Sequence, residues 1–138
     1  MKHFFLACLF PALLTAQNMQ LTEQLGKTVL YGDIALSPDG KNVAWVQSTA
    51  ATTAKQTYIG GTSEGSPATM INLATSGERA DANPTWAPDS KTLTFFSNAG
   101  EVRAGLASEQ KQLWTVNSDG AGEKKLTQLS GYAARPCW

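Results

Sequence analysis

From residue 31 onward, apolar and polar positions alternate in short bursts with a period near two, with the insertion 98–111 left open between helix and loop. Residues 31–36, 42–47, 56–59 and 69–73 read as β-strands, and so do 83–86, 91–97, 112–117 and 124–128. The breaks between them are turn sequences. Ser37-Pro38-Asp39-Gly40 joins the first two strands: Pro fixes φ, Asp bonds its own backbone, and Gly accepts a positive φ. Asp119-Gly120 predicts a hairpin between the last two strands, and residues 60–68 predict a loop between the third and fourth. In 42–47, Val43 and Trp45 share one face and Ala44 and Val46 the other, the pattern of a strand covered on both sides. Residues 48–55 are small and polar, a loop, and 98–111 form a longer insertion between strands. Residues 17–30 are a lead-in of mixed polarity, with room for one helical turn.

This pattern occurs twice and begins a third time. Leu36-Ser37-Pro38-Asp39-Gly40-Lys41 returns as Trp86-Ala87-Pro88-Asp89-Ser90-Lys91, and Pro84-Thr85-Trp86 returns as Pro136-Cys137-Trp138. Leu36, Trp86 and Trp138 are thus spaced by 50 and then 52 positions. A period of about 50 residues built from short strands is the mark of a β-propeller or similar array, in which one repeat cannot bury its own apolar face. The expectation is an all-β fold: propeller blade 1 at 31–81, blade 2 at 82–131, and the start of a third at 132–138. Since a closed propeller typically needs about four to eight blades, the chain reads as the N-terminal part of a longer protein. The second blade is then expected to leave Phe95 or Phe96 and Trp114 or Val116 facing water, where a third blade would sit.

Composition narrows the function classes. Eleven basic residues balance eleven acidic ones with no basic run, which argues against a nucleic-acid or polybasic membrane-surface partner. Residues 1–16 read as a secretory signal: Lys2 and His3 are followed by an apolar run, and Leu14-Thr15-Ala16 offers a small residue before Gln17. The run is too short for a comfortable membrane span, and the stretch before Cys8 is too brief for a lipoprotein box. The expected location is periplasmic or extracellular. Removing the signal takes away His3, the chain's one histidine, and Cys8, so that Cys137 has no partner for an intrachain disulfide and no His/Cys metal site can be assembled.

The second copy is the more specific one. Asn83-Pro84-Thr85-Trp86-Ala87-Pro88-Asp89-Ser90-Lys91, with Leu93, Phe95 and Ser97, is followed by Gln112-Leu113-Trp114-Thr115-Val116, Asp119-Gly120 and Lys125-Leu126-Thr127. This resembles the repeat in the propellers of TolB-like proteins and of the prolyl oligopeptidase family, which includes secreted dipeptidyl and acylaminoacyl peptidases. It departs at Ser90, where Gly is usual, and in the long polar stretch 50–67 of the first copy. A signal, a short lead-in and then Leu36-Ser37-Pro38-Asp39-Gly40-Lys41 with Val43-Ala44-Trp45 is more similar to a peptidase start than to a TolB start, where a further domain comes first. The resemblance implies a non-catalytic propeller that gates the access of short peptides to a C-terminal hydrolase domain with a Ser-Asp-His triad. The alternative it implies is a TolB-like periplasmic propeller acting as a protein–protein interaction module.

The chain's own candidate chemistry is sparse. Gly61-Thr62-Ser63-Glu64-Gly65 matches the G-x-S-x-G nucleophile elbow, yet Ser66-Pro67 follows instead of a helix, so Ser63 is expected in a hairpin loop. Asp39 and Asp89 sit at the third position of their turns, where bonding to the local backbone is their expected role, rather than calcium ligation. Trp45, Trp86, Trp114 and Trp138 recur with the repeat, which favours packing between blades over a ligand platform. Glu101 and Arg103 are the charges to watch as substrate contacts. No catalytic, cofactor-binding or metal-binding residue is assigned.

Overall fold

The computed structural model describes residues 27–50, 52, 54–71, 79–100, 110–130 and 135–138, and every helix or strand element among them is a strand. Eight strands follow one another: β1 (Val29–Leu36), β2 (Asn42–Thr49), β3 (Gln56–Gly61), β4 (Ala68–Met70), β5 (Ala82–Trp86), β6 (Thr92–Ser97), β7 (Gln112–Asn117) and β8 (Lys124–Lys125). They form two four-stranded antiparallel sheets, each in sequence order, β1-β2-β3-β4 and β5-β6-β7-β8. The fold is all-β, with one sheet per sequence repeat. The signal at 1–16, most of the lead-in, and Glu101 and Arg103 lie outside the described residues.

The turns form for the reasons the sequence offers. In the first, Gly40 N–H donates to Ser37 O (2.9 Å), and Asp39 Oδ1 accepts from Lys41 N–H (3.1 Å) and from the Ser37 hydroxyl (2.7 Å). In the second, Ser90 N–H donates to Ala87 O (3.0 Å) and Lys91 N–H to Asp89 Oδ1 (2.8 Å). Both turns need a left-handed residue at their fourth position. Gly40 takes φ 72° there without cost, whereas Ser90 takes φ 59° against its own Cβ. A second irregularity also repeats. β1 bulges at Asp33 (φ 25°) and β5 at Asn83 (φ 52°), positions 50 apart in the chain.

The two sheets share one core. Ala44 of β2, Ile59 of β3 and Ile71 pack with Trp86, Leu93, Phe95, Ala99 and Val116 of the C-terminal sheet. β5 is the strand that approaches the N-terminal sheet, lying against β1 and β2. The alternation in β2 is realised on one side only. Ala44 and Val46 are buried, while Val43 and Trp45, on the opposite face, are only half-buried.

That asymmetry corrects the expected position of the open surface. Phe95, Phe96 and Val116 are all buried and Trp114 is half-buried, so the C-terminal sheet does not hold its aromatic residues out to water. The exposed apolar side chains are concentrated instead on the N-terminal sheet. Ile34 is 71% and Leu36 62% exposed, joined by Val29, Leu30, Tyr31 and Met70. For Ile34 and Leu36 the physical reason is the direction of stacking: they share the bare face with Trp45 and Val43, whereas the C-terminal sheet covers the Ala44 face.

Candidate functional site

The seam between the sheets is built from residues that hold equivalent places in the repeat. The indole N–H of Trp86 donates to Ala35 O in β1 (3.0 Å), and the indole N–H of Trp138 makes a longer contact to Thr85 O in β5 (3.5 Å). Each aromatic residue therefore reaches back one repeat, to the carbonyl just before the previous repeat's equivalent residue. Asn83 N–H donates to the Asp33 carboxylate (3.0 Å), so one bulge caps the other. Asp39 N–H donates to the Ser90 hydroxyl (3.0 Å), which links the two Pro-Asp turns directly. Ser90, the departure from Gly in the repeat pattern, is the acceptor that glycine could not supply.

A buried ion pair fastens the linker between the sheets. Arg79 and Asp81 are 6% and 0% exposed and form a salt bridge through Arg79 Nη2 and Asp81 Oδ2. Arg79 Nη1 also donates to Ile71 O (2.6 Å), and Asp81 Oδ2 accepts from Thr57 N–H (2.8 Å). Between them Ala80 N–H donates to Asn98 Oδ1 (2.7 Å), while Lys55 N–H donates to Arg79 O (2.8 Å) and Asp81 N–H to Lys55 O (3.0 Å). The linker is thereby held to the start of β3 and to the residue after β6. A pair sealed from water with its remaining donors and acceptors satisfied costs much to break, since removing one partner strands the other charge.

The C-terminal sheet is closed by an amide. Gln112, fully buried at the start of β7, accepts at Oε1 from Leu129 N–H (2.7 Å) and the Thr127 hydroxyl (3.0 Å), and donates through Nε2 to Leu129 O (3.0 Å). Its side chain stands in for a strand's peptide group and extends the pairing past β8. Thr127 Oγ1 in turn accepts from Leu113 N–H (2.9 Å).

The residues singled out in the sequence fall into separate places. Ser63 lies exposed in the β3–β4 hairpin, where Ser66 N–H donates to Ser63 O (3.1 Å) and Gly65 takes φ 76°. No helix follows it, so the nucleophile-elbow geometry is absent. Asp39 and Asp89 bond their own turns, and the Ser37 hydroxyl, with the Lys41 N–H, holds the Asp39 carboxyl below its ordinary value. The tryptophans divide. Trp86 is in the core, Trp114 packs against its edge, Trp45 stacks on Tyr58 of β3 (5.8 Å between ring centroids) on the bare face, and Trp138 is largely exposed. Packing thus accounts for Trp86 and Trp114, and the expectation of burial fails for Trp138. Arg79, Asp81 and Gln112 were not legible as a site, because nothing in a polar linker or a strand's first residue signals burial. Among the described residues, no group of three or more His, Cys, Asp or Glu side chains is placed to hold a metal ion. No helix long and apolar enough to cross a membrane is present, again among the described residues.

No known family profile matches the chain. Over 64 residues, 46% of the chain, it is 34% identical to a protein of Bacillus subtilis (strain 168) named as an uncharacterized peptidase, YuxL. The chain matches only 9% of that protein's length. The similarity links this all-β chain to peptidases.

Proposed function

We propose that the two sheets are successive blades of a β-propeller belonging to a secreted serine peptidase related to the prolyl oligopeptidase family. In this reading the chain does no chemistry itself. It forms part of a barrier that admits short peptides to a hydrolase domain carried elsewhere in the same polypeptide and excludes folded proteins. The observation that carries the reading is the 34% identity to a peptidase across nearly half the chain. The seam supports the propeller component: one indole-to-carbonyl contact recurs from repeat to repeat, which is how an array grows by adding equivalent units.

The test uses the intact gene product alongside the 138-residue chain. The intact product is expected to cleave short fluorogenic peptides, to spare a folded protein substrate, and to be inactivated by a serine-directed phosphonate. The 138-residue chain is expected to show no turnover, and Ser63→Ala is expected to change neither protein. Turnover by the short chain that disappears with Ser63→Ala would overturn the proposal. An intact product without hydrolase activity that binds periplasmic proteins would replace it with the TolB-like interaction module.

A further inference from the structure

Among the described residues, the Thr57 hydroxyl and the Trp114 indole N–H are buried polar groups with no hydrogen-bond partner. Thr57 has no exposure to solvent, and although Trp114 is half-buried as a whole, its N–H is sealed. Both belong to faces turned into the core between the sheets. Thr57 pairs with Val46 and stands two residues before Ile59, on the face of β3 that the C-terminal sheet covers. Trp114 pairs with Phe95 and packs from the C-terminal sheet against the cluster that holds Ile59 and Ile71. Ile71 N–H in turn donates to Thr57 O (2.9 Å). An unpaired donor and an unpaired hydroxyl on facing walls of one core each carry the penalty of a lost hydrogen bond, so a shared partner relieves both.

We propose that a single water molecule is sealed between the sheets and bridges these two groups. The chemistry of the partners selects it. The indole N–H is a donor only and needs an acceptor. A cation would meet the positive end of that N–H, and an anion would lie close to the Asp81 carboxylate, whose Oδ2 accepts from Thr57 N–H (2.8 Å). Water is neutral, accepts from the indole and donates to the Thr57 oxygen, with the neighbouring Asp81 carboxylate as acceptor for its second hydrogen. Those partners meet the roughly two to four that a buried water takes. The bridge also ties the sheets at a new place, since Trp86 and Asn83 join β5 to β1 and the water joins β7 to β3. It is particular to this seam. Tyr58 pairs with Trp45 as Trp114 pairs with Phe95, so the residue before each is Thr57 in the first repeat and Leu113 in the second. Leu113 has no hydroxyl, and the repeat pattern therefore does not carry the site from one sheet to the next. The inference needs only the packing of the two sheets, and stands apart from both the propeller and the peptidase readings.

A crystal structure of the intact gene product, at a resolution that shows ordered water, tests this together with Thr57→Val, which keeps the shape of the side chain and removes its hydroxyl. A water peak is expected about 2.7–3.2 Å from both Thr57 Oγ1 and Trp114 Nε1. Thr57→Val is expected to lose that peak and to lower the melting temperature, because the water then lacks a partner and the indole N–H is stranded. Thr57→Ser keeps a hydroxyl at this position and is expected to keep the peak. A Thr57→Val protein at least as stable as the parent overturns the inference, since removing an unpaired hydroxyl from a dry core stabilises the fold. So does a parent structure in which the indole N–H donates to a protein oxygen, or in which the two groups hold separate waters or none.

Discussion

Replacing Arg79 with alanine removes both of the guanidinium's contacts with the Asp81 carboxylate and its donation to Ile71 O. Asp81, with no exposure to solvent, then retains the Thr57 N–H as its side-chain partner. Breaking a buried pair from one side typically costs about 3–5 kcal/mol, most of it the penalty of an uncompensated charge. That is a large share of the roughly 5–15 kcal/mol by which small domains are stable. At roughly 3–5 °C per kcal/mol for a chain of this size, the melting temperature is expected to fall by about 10–20 °C. Circular dichroism during heating and urea titration both measure it. The double variant Arg79→Met/Asp81→Leu removes both charges and is expected to recover at least about half of the loss, since the penalty lies in the stranded charge. Raising the salt to about 1 M should leave the effect intact, because a pair sealed from water is poorly screened. A loss within about 0.5 kcal/mol, the size of an ordinary surface substitution, refutes the argument. So does a loss that vanishes in salt.

Substitutions at three further positions probe the seam, the second sheet and the first turn. Ser90→Ala keeps the strained φ and loses the bond from Asp39 N–H, at about 0.5–1.5 kcal/mol, while Ser90→Gly relieves the strain as it loses the bond and should be nearly neutral. An alanine variant at least as stable as the glycine variant contradicts this. Gln112→Leu leaves the Leu129 N–H and the Thr127 hydroxyl without their acceptor, while Leu129 O keeps the Gln110 Nε2 donor (2.6 Å), an expected loss of about 1–3 kcal/mol together with faster hydrogen exchange at Leu129. Unchanged protection of that amide contradicts the clip. The Ser37 hydroxyl and Lys41 N–H hold the Asp39 carboxyl below its ordinary value, so in the acid range the unfolded chain binds the proton more readily than the folded one. Its contribution to stability is complete above the ordinary carboxylate value and is lost as pH falls through the lowered folded value. Asp39→Asn should flatten that part of the curve of urea midpoint against pH, and an unaltered slope counts against the assignment.

The strands and turns were legible because their causes are local. Alternation sets which residues share a face, and Pro38, Asp39 and Gly40 each act within their own turn. β7 matches the expected 112–117, while β1 and β2 extend two residues past the expected limits, where Val29 pairs with Thr49 and Leu30 with Ser48. The repeat was legible too, since equivalent residues meet equivalent surroundings. Which face of each sheet is covered was not, because Val43 and Trp45 are as apolar as Ala44 and Val46, and alternation cannot rank two apolar faces. That choice came from the stacking of the C-terminal sheet, with Trp86 reaching Ala35 O over a separation of 51 residues. The same holds for Arg79, Asp81 and Gln112, three polar residues that in sequence belong on a surface. Only the packed sheets enclose them, and enclosure is what turns ordinary polar residues into the bonds that hold linker and strand in place.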